Sequence, residues 1–196
     1  MPTPVTAKLP KPKSEDEFED FVLDVLRRKW RADVQRNGRR GQSQNGVDLY
    51  WQHPSKPGEW YGVQCKNVSS LSKATIENEV KLAESFQPSL RHYYLVTSLD
   101  RDEKIQSHCR SLSEPRMAGD LFPVDILFWQ DLELELAGHE DLVQKYFKGF
   151  GPGLEDELRR YRAEALESHG RRHELFRLLL LPHPLHLWKE KPHERP

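Results

Sequence analysis

Two strand-like segments joined by a turn constrain the fold of this chain more than any other feature. Residues 47–52 and 60–66 are rich in β-branched and aromatic side chains, and turn-forming Pro, Ser and Gly residues fill positions 54–58 between them. This pattern predicts a β-hairpin. The apolar segments 93–97 and 124–128 predict two further strands of the buried type.

A helix is predicted upstream of the hairpin. Ser14 and Glu17 have the spacing of a capping box, and the apolar residues that follow recur at helical spacing: Phe18, Phe21, Val22, Val25 and Leu26. Further elements are predicted as helices at 72–86, 100–113 and 139–148 and as a short strand at 32–37. Residues 131–137 alternate like a strand but are few enough for either structure, and we favour a short helix. This order predicts an α/β fold with a mixed central β-sheet flanked by helices.

The chain has 196 residues, which fits one domain with short extensions. Eight of its 14 prolines lie in residues 1–13 and 182–196, where they interrupt regular structure. We therefore divide the chain into a flexible Pro/Lys tail at 1–13, an α/β domain at 14–150, and a C-terminal helical extension with a Pro/His-rich tail at 151–196. Apolar stripes in 154–181 predict packing on a partner or a second copy, or equally on the domain itself.

Composition excludes several classes of protein. The 30 Lys and Arg residues are balanced by 31 Asp and Glu residues, which excludes a uniformly basic nucleic-acid coat. The two cysteines stand far apart without a C-x-x-C pair, which argues against a disulfide scaffold or a cysteine zinc site. The longest apolar run, 178–181, is far too short to span a membrane. We expect a soluble cytoplasmic protein with no membrane partner.

Three polar residues of the predicted hairpin are the candidates for a catalytic or metal-binding site. Asp48 stands early in the first strand, and Gln64 and Lys66 stand at the end of the second. Residues two apart in a strand share a face, so Gln64 and Lys66 project together while Cys65 turns to the opposite side. A carboxylate and an amide oxygen suit Mg²⁺, and an ammonium group can orient a water or help to deprotonate it. Phosphodiester cleavage needs these functions, although edge strands also carry polar residues for solubility alone.

The motifs Gly46-Val47-Asp48 and Val63-Gln64-Cys65-Lys66, with Phe18-Glu19 on a helix upstream, resemble the PD-(D/E)xK superfamily of restriction-endonuclease-like nucleases. The helix at 72–86, the strand that runs into residues 98–102 and the segment 122–129 look like the restriction-type nuclease effector domains of bacterial anti-phage defence proteins. The resemblance covers roughly residues 14–149.

This resemblance implies a restriction-endonuclease-like core and a DNA endonuclease that depends on Mg²⁺, for which Mn²⁺ substitutes. It implies Asp48, Gln64 and the main-chain carbonyl of Cys65 as metal ligands and Lys66 as the catalytic lysine. The chain departs from the common pattern because no proline precedes Asp48 and because Gln64 stands where an acid is usual. A neutral ligand removes one negative charge from the metal site. Glu19 is the candidate that compensates, although an acid near the start of a helix also has an ordinary structural explanation.

A second acid of the same helix, Glu15, is the reserve candidate for this compensating role.

Basic and amide side chains on loops around the site are expected to bind nucleic-acid phosphates in a salt-dependent manner, although loop solubility explains them nearly as well: Arg36, Arg39, Arg40, Gln44, Asn45 and Lys56.

Two functions from different classes remain open. The first is a metal-dependent DNA endonuclease that acts as an effector in defence against phage or foreign DNA, with RNA as a variant substrate. The second is a nucleic-acid-binding or assembly module whose nuclease site has decayed, which the neutral Gln64 motivates. The chain carries no Walker-type phosphate loop. We therefore expect an activating signal from a protein partner or from self-association through 154–181.

Overall fold

The computed structural model describes residues 9–38, 42, 44–136 and 138–147. These residues form the following elements in chain order: α1 (Glu15–Trp30), β1 (Gln35–Arg36), β2 (Leu49–Gln52), β3 (Trp60–Lys66), α2 (Lys73–Ala83), β4 (Leu90–Thr97), α3 (Glu103–Ala118), β5 (Val124–Leu127), α4 (Trp129–Leu136) and α5 (Glu140–Tyr146).

The strands form one mixed sheet in the order β1-β2-β3-β4-β5. The first three strands are antiparallel neighbours, and the predicted hairpin pairs Leu49 with Val63 and Gln52 with Trp60. β3, β4 and β5 run parallel to one another. Each parallel pair needs a crossover connection, which α2 and α3 provide. The predicted α/β class and mixed sheet are therefore confirmed.

Apolar clusters cover both faces of the sheet. One cluster joins the sheet to α1, α4 and α5 and contains buried residues such as Phe21 and Leu132. The other joins it to α2 and α3 and contains Ile76, Tyr93 and Cys109. The sheet is therefore the middle of three layers, which leaves the ends of its strands as the places where polar side chains can gather.

The helix starts follow the capping signals of the sequence. The hydroxyl of Ser14 accepts a hydrogen bond from the Glu17 N–H at 3.2 Å, and the Glu17 carboxylate accepts one from the Lys13 N–H at 2.9 Å. The short helix favoured within 131–137 is present as part of α4. α3 continues past its predicted end at 113 and contains Pro115, three residues before its last residue, Ala118.

Residues 9–13 lie against the domain, on the N-terminal side of the predicted boundary. Leu9 is buried in the α1 cluster, and its N–H donates to Glu133 Oε1 at 3.2 Å. The folded unit therefore begins before Ser14. The rest of the predicted N-terminal tail, residues 1–8, and the predicted extension at 151–196 lie outside the described residues. None of the helices in the described part of the chain has both the length and the apolar character needed to cross a membrane.

Candidate functional site

A polar cleft of about 480 Å³ lies at the end of the sheet where β2 begins and β3 ends. Asp48, Gln64 and Lys66 line it from the hairpin, and Glu15 and Glu19 line it from α1. The structure therefore brings together the residues that the sequence analysis selected on the hairpin and both acids considered on the first helix.

Asp48 is held at the base of this cleft by two donors. The side chain is part of a residue only 7% exposed, and its Oδ2 accepts hydrogen bonds from the Cys65 N–H at 2.7 Å and from Gln64 Nε2 at 2.6 Å. Both of these hydrogen bonds go to the same oxygen, Oδ2. Burial raises the pKa of Asp48, and the Cys65 N–H and the Lys66 charge oppose that rise.

Lys66 and Cys65 leave β3 on opposite faces, as the alternation of a strand predicts. The Cys65 side chain packs against the cluster that contains α1, whereas Lys66 Nζ lies 2.6 Å from Oε1 of Glu79 on α2. The side chains of Lys66 and Glu79 are 22% and 12% exposed. The lysine that the sequence analysis selected is therefore fixed by an ion pair that it did not predict.

Glu19 enters the cleft from α1 and is paired with Arg36 of β1. The Arg36 guanidinium donates to the carboxylates of both Glu19 and Asp20. Burial raises the pKa of Glu19; the positive charge of Arg36 opposes this rise, and the negative charge of Asp48 adds to it. Arg36 is therefore engaged with carboxylates in this structure and balances part of the charge of the cleft.

The thiol of Cys65 is not suited to nucleophilic chemistry. Burial raises its pKa well above the ordinary value, and the negative charges of Asp48 and Glu19 raise it further. A thiol needs to ionise before it can attack or bind a metal, and this environment opposes ionisation. Cys65 contributes its backbone N–H to Asp48 instead.

The charges around the cleft favour a cation. Four of its lining residues are acidic and two are basic, among the described residues: Glu15, Asp16, Glu19 and Asp48 against Arg36 and Lys66. No group of three or more His, Cys, Asp and Glu residues within the described part of the chain could by itself hold a metal ion. Mg²⁺ is nevertheless commonly held through one or two carboxylates, with waters and substrate phosphates completing its shell. Asp48 and Glu19, with amide and carbonyl oxygens nearby, fit that kind of site.

The residues expected to bind nucleic acid are divided between two places. Arg36 and Gln44 line the cleft, and Asn45, which directly follows Gln44, has a positive φ of 50°. Lys56 is not brought to the cleft, because the turn that carries it lies at the other end of the hairpin, where Lys56 Nζ is 3.7 Å from Glu59. Arg39 and Arg40 lie outside the described residues.

Sequence reasoning missed two residues at the edge of the site. Asn67 follows Lys66 and donates through Nδ2 to the carbonyls of Pro12 and Ser14, both at 3.0 Å, which ties the end of β3 to the start of α1. Glu79 holds Lys66. Asn67 could have been suspected from its place next to Lys66, whereas nothing in the sequence separates Glu79 from its neighbour Glu77 on the same helix.

Comparison of the chain with family models, with curated proteins and with solved structures finds no match. The function is therefore inferred from the chemistry of the cleft.

Proposed function

We propose that this protein is a Mg²⁺-dependent nuclease with a restriction-endonuclease-like core that hydrolyses phosphodiester bonds of DNA. The observation that carries the proposal is the convergence of Asp48, Gln64, Lys66 and Glu19 on one polar cleft at the end of the hairpin. Two carboxylates and an amide oxygen can hold Mg²⁺, and an ammonium group can orient a water and neutralise charge on a phosphate, which suits metal-assisted phosphodiester hydrolysis.

Each residue near the metal has a distinct part in this proposal. Asp48 would hold the ion through Oδ1, since Oδ2 is already engaged by the Cys65 N–H and by Gln64. Glu19 would supply the second carboxylate, and the carbonyl of Cys65 and the amide oxygen of Gln64 would add neutral oxygen ligands. Mg²⁺ bound here would polarise the scissile phosphate and make a water more acidic.

Lys66 acts on the attacking water and on the phosphate. Its ammonium group has three N–H donors, of which the contact with Glu79 uses one. The remaining donors can orient a water and neutralise charge that develops on the phosphate oxygens. The mostly covered position of the side chain limits the competition of bulk water for these donors.

DNA is attracted by residues around the mouth of the cleft. Arg36 and Gln44 lie there, and Arg39 and Arg40 stand a few residues after Arg36 in the sequence. Such contacts to phosphates give affinity that depends on salt and little on base sequence. The role in bacterial defence, the cytoplasmic location and activation through a partner or through residues 154–181 remain predictions from the sequence.

The experiment that tests the proposal is cleavage of supercoiled plasmid DNA by the purified protein with Mg²⁺ or Mn²⁺. The parent protein is expected to nick or degrade the plasmid, and EDTA is expected to stop it. Lys66→Ala and Asp48→Ala should lose cleavage while they keep the fold, as judged by circular dichroism. Lys104→Ala, which removes an exposed lysine of α3, is the matched control and should cut like the parent.

One observation favours a second candidate function, a nucleic-acid-binding module without cleavage. Arg36 already neutralises the charge of Glu19, and Gln64, which donates a hydrogen bond to Asp48, is itself neutral. Part of the negative charge of the cleft is therefore balanced without a metal. This alternative predicts salt-sensitive binding of DNA that does not respond to Mg²⁺ and no cleavage at any protein concentration. Parallel reactions with a single-stranded RNA test the variant in which RNA is the substrate.

A further inference from the structure

The Lys66–Glu79 ion pair joins two elements that meet at the cleft. Lys66 is the last residue of β3, and Glu79 lies in the middle of α2, the helix that follows it. The distance of 2.6 Å between Nζ and Oε1 is that of a strong, charge-assisted hydrogen bond. Both side chains are largely covered, so solvent screens this pair less than it screens an ion pair on the surface.

The position of Glu79 is set by a close approach of α2 to the loop that carries Asp48. Gly46 has a φ of +66°, and a Cβ atom on it would lie only 2.8 Å from the carbonyl oxygen of Glu79 and 2.9 Å from Leu82 Cβ. The hydroxyl of Tyr93 donates to the Gly46 carbonyl at 2.7 Å and fixes this loop to β4. The backbone of Glu79 is therefore in direct contact with the loop that leads into Asp48.

A lysine at this place needs such a contact to have a defined position. Its ammonium group ends a flexible four-carbon chain, and both the chain and the point charge allow many rotamers. Holding one N–H on a fixed carboxylate selects a narrow set of these rotamers and leaves the other two N–H groups for a water or a phosphate. The position of α2 therefore determines the orientation of the Lys66 ammonium group.

We propose that Glu79 is a positioning residue, which holds the Lys66 ammonium group in the orientation that cleavage requires. This inference rests on the proposed nuclease function and names the residue on which its lysine depends. Glu79 acts through Lys66 and does not line the cleft, and it belongs to no group of three acidic, His or Cys residues that could hold a metal within the described part of the chain.

The first test compares Glu79→Gln with a control from the same helix. Glu77→Gln removes a carboxylate two residues away that faces His108 at 3.1 Å instead of the cleft. At saturating DNA, the single-turnover rate constant of Glu79→Gln is expected to fall about 10- to 100-fold, since misplacing a catalytic group by about 1 Å can cost about 100-fold. The DNA concentration for half-maximal rate and the affinity for Mn²⁺ should stay within about twofold of the parent, since the residue touches neither. Glu77→Gln should match the parent in all three quantities.

A second readout follows Lys66 itself and does not depend on cleavage. Lysine acetylation by a brief pulse of acetic anhydride, quantified by mass spectrometry, reports how accessible and reactive each lysine amine is, and an ion pair with a covered carboxylate lowers both. In Glu79→Gln the acetylation of Lys66 is expected to rise several-fold relative to Lys104 in the same sample, and in Glu77→Gln it should stay at the parent level. A role of Glu79 in general stability would change the labelling of many lysines together.

The outcomes separate the two proposals. Cleavage by the parent together with unchanged Lys66 labelling or an unchanged rate in Glu79→Gln would overturn the positioning role and leave the nuclease proposal standing. A large loss of Mn²⁺ affinity in Glu79→Gln would also overturn it, because Glu79 would then act on the metal. Absence of cleavage by the parent under all metal conditions would overturn the nuclease function, and with it the catalytic purpose of the pair.

Discussion

Substitution of Gly46 by alanine tests whether the close approach of α2 to the Asp48 loop is as tight as the structure has it. Alanine at φ +66° meets the left-handed penalty of about 1–2 kcal/mol. Its Cβ would also lie 2.8 Å from the Glu79 carbonyl oxygen, which is backbone and cannot rotate away. Forcing an atom into such a contact costs typically about 1–3 kcal/mol. We expect Gly46→Ala to lower the free energy of unfolding by about 2–4 kcal/mol, from the sum of these two effects less a small gain in the unfolded chain.

Gly58→Ala provides the matched control for this measurement. Gly58 has a φ of +89°, but a Cβ atom built on it meets nothing within 4 Å. It therefore isolates the backbone penalty, for which we expect about 1 kcal/mol. Urea denaturation followed by tryptophan fluorescence gives both free energies from the shift in midpoint. Equal destabilisation of the two variants would refute the close approach of α2, and with it the physical basis for the position of Glu79.

Three further predictions concern the metal, the pH dependence and the core. Arg36→Gln frees Glu19 from its ion pair, so calorimetric titration should show tighter Mn²⁺ binding by a few-fold while filter binding shows weaker DNA affinity; weaker Mn²⁺ binding would contradict the pairing. Burial raises the pKa values of Asp48 and Glu19, and a protonated carboxylate does not bind metal. The affinity for Mn²⁺ should therefore fall as the pH decreases, and the fall should begin above the pKa of exposed carboxylates, about 4. An affinity that stays constant down to that pH would exclude these two residues as ligands. Phe21→Ala should lower the free energy of unfolding by about 3–5 kcal/mol in urea, because the ring is fully buried between Trp129 and Tyr146; a loss below about 1 kcal/mol would contradict its place in the core.

Local patterns in the sequence predict the elements and the part of the site that lies on the hairpin. Alternation over 60–66 is enough to place Gln64 and Lys66 on one face of β3 and Cys65 on the other, and the hairpin turn is enough to bring Asp48 to the same end. These relations depend on two-residue periodicity and on neighbouring strands, both of which can be inferred from the residues themselves.

The contacts that the sequence could not predict depend on how helices dock on the sheet. Glu77 and Glu79 are the same residue type and lie about 200° apart around α2. Only the docking of this helix decides that Glu79 meets Lys66 and Glu77 meets His108. Lys56 was expected near the site from its loop, but a strand separates the two ends of a hairpin, and its turn lies at the wrong one. The docking of Leu9 likewise depends on distant residues, since its side chain is buried in the α1 cluster and its N–H donates to Glu133 of α4.

The resemblance to a nuclease superfamily implies a role for each residue, and the arrangement of the cleft supports the roles proposed for them. Asp48 is buried with one oxygen engaged, Glu19 reaches the same cleft from α1, and Lys66 is held by Glu79. A set of polar residues selected for solubility alone would not be expected to gather at low exposure around a common space.

The measurement that tests the account most directly is the rate of conversion of supercoiled plasmid as a function of Mg²⁺ concentration, for the parent and for Asp48→Asn. Asparagine keeps the shape of the side chain and removes the charge that the metal requires. The account predicts saturable, metal-dependent cleavage by the parent and at least about a 100-fold lower rate for Asp48→Asn at every Mg²⁺ concentration. Cleavage by both proteins at the same rate, or cleavage by the parent that persists in EDTA, would contradict it.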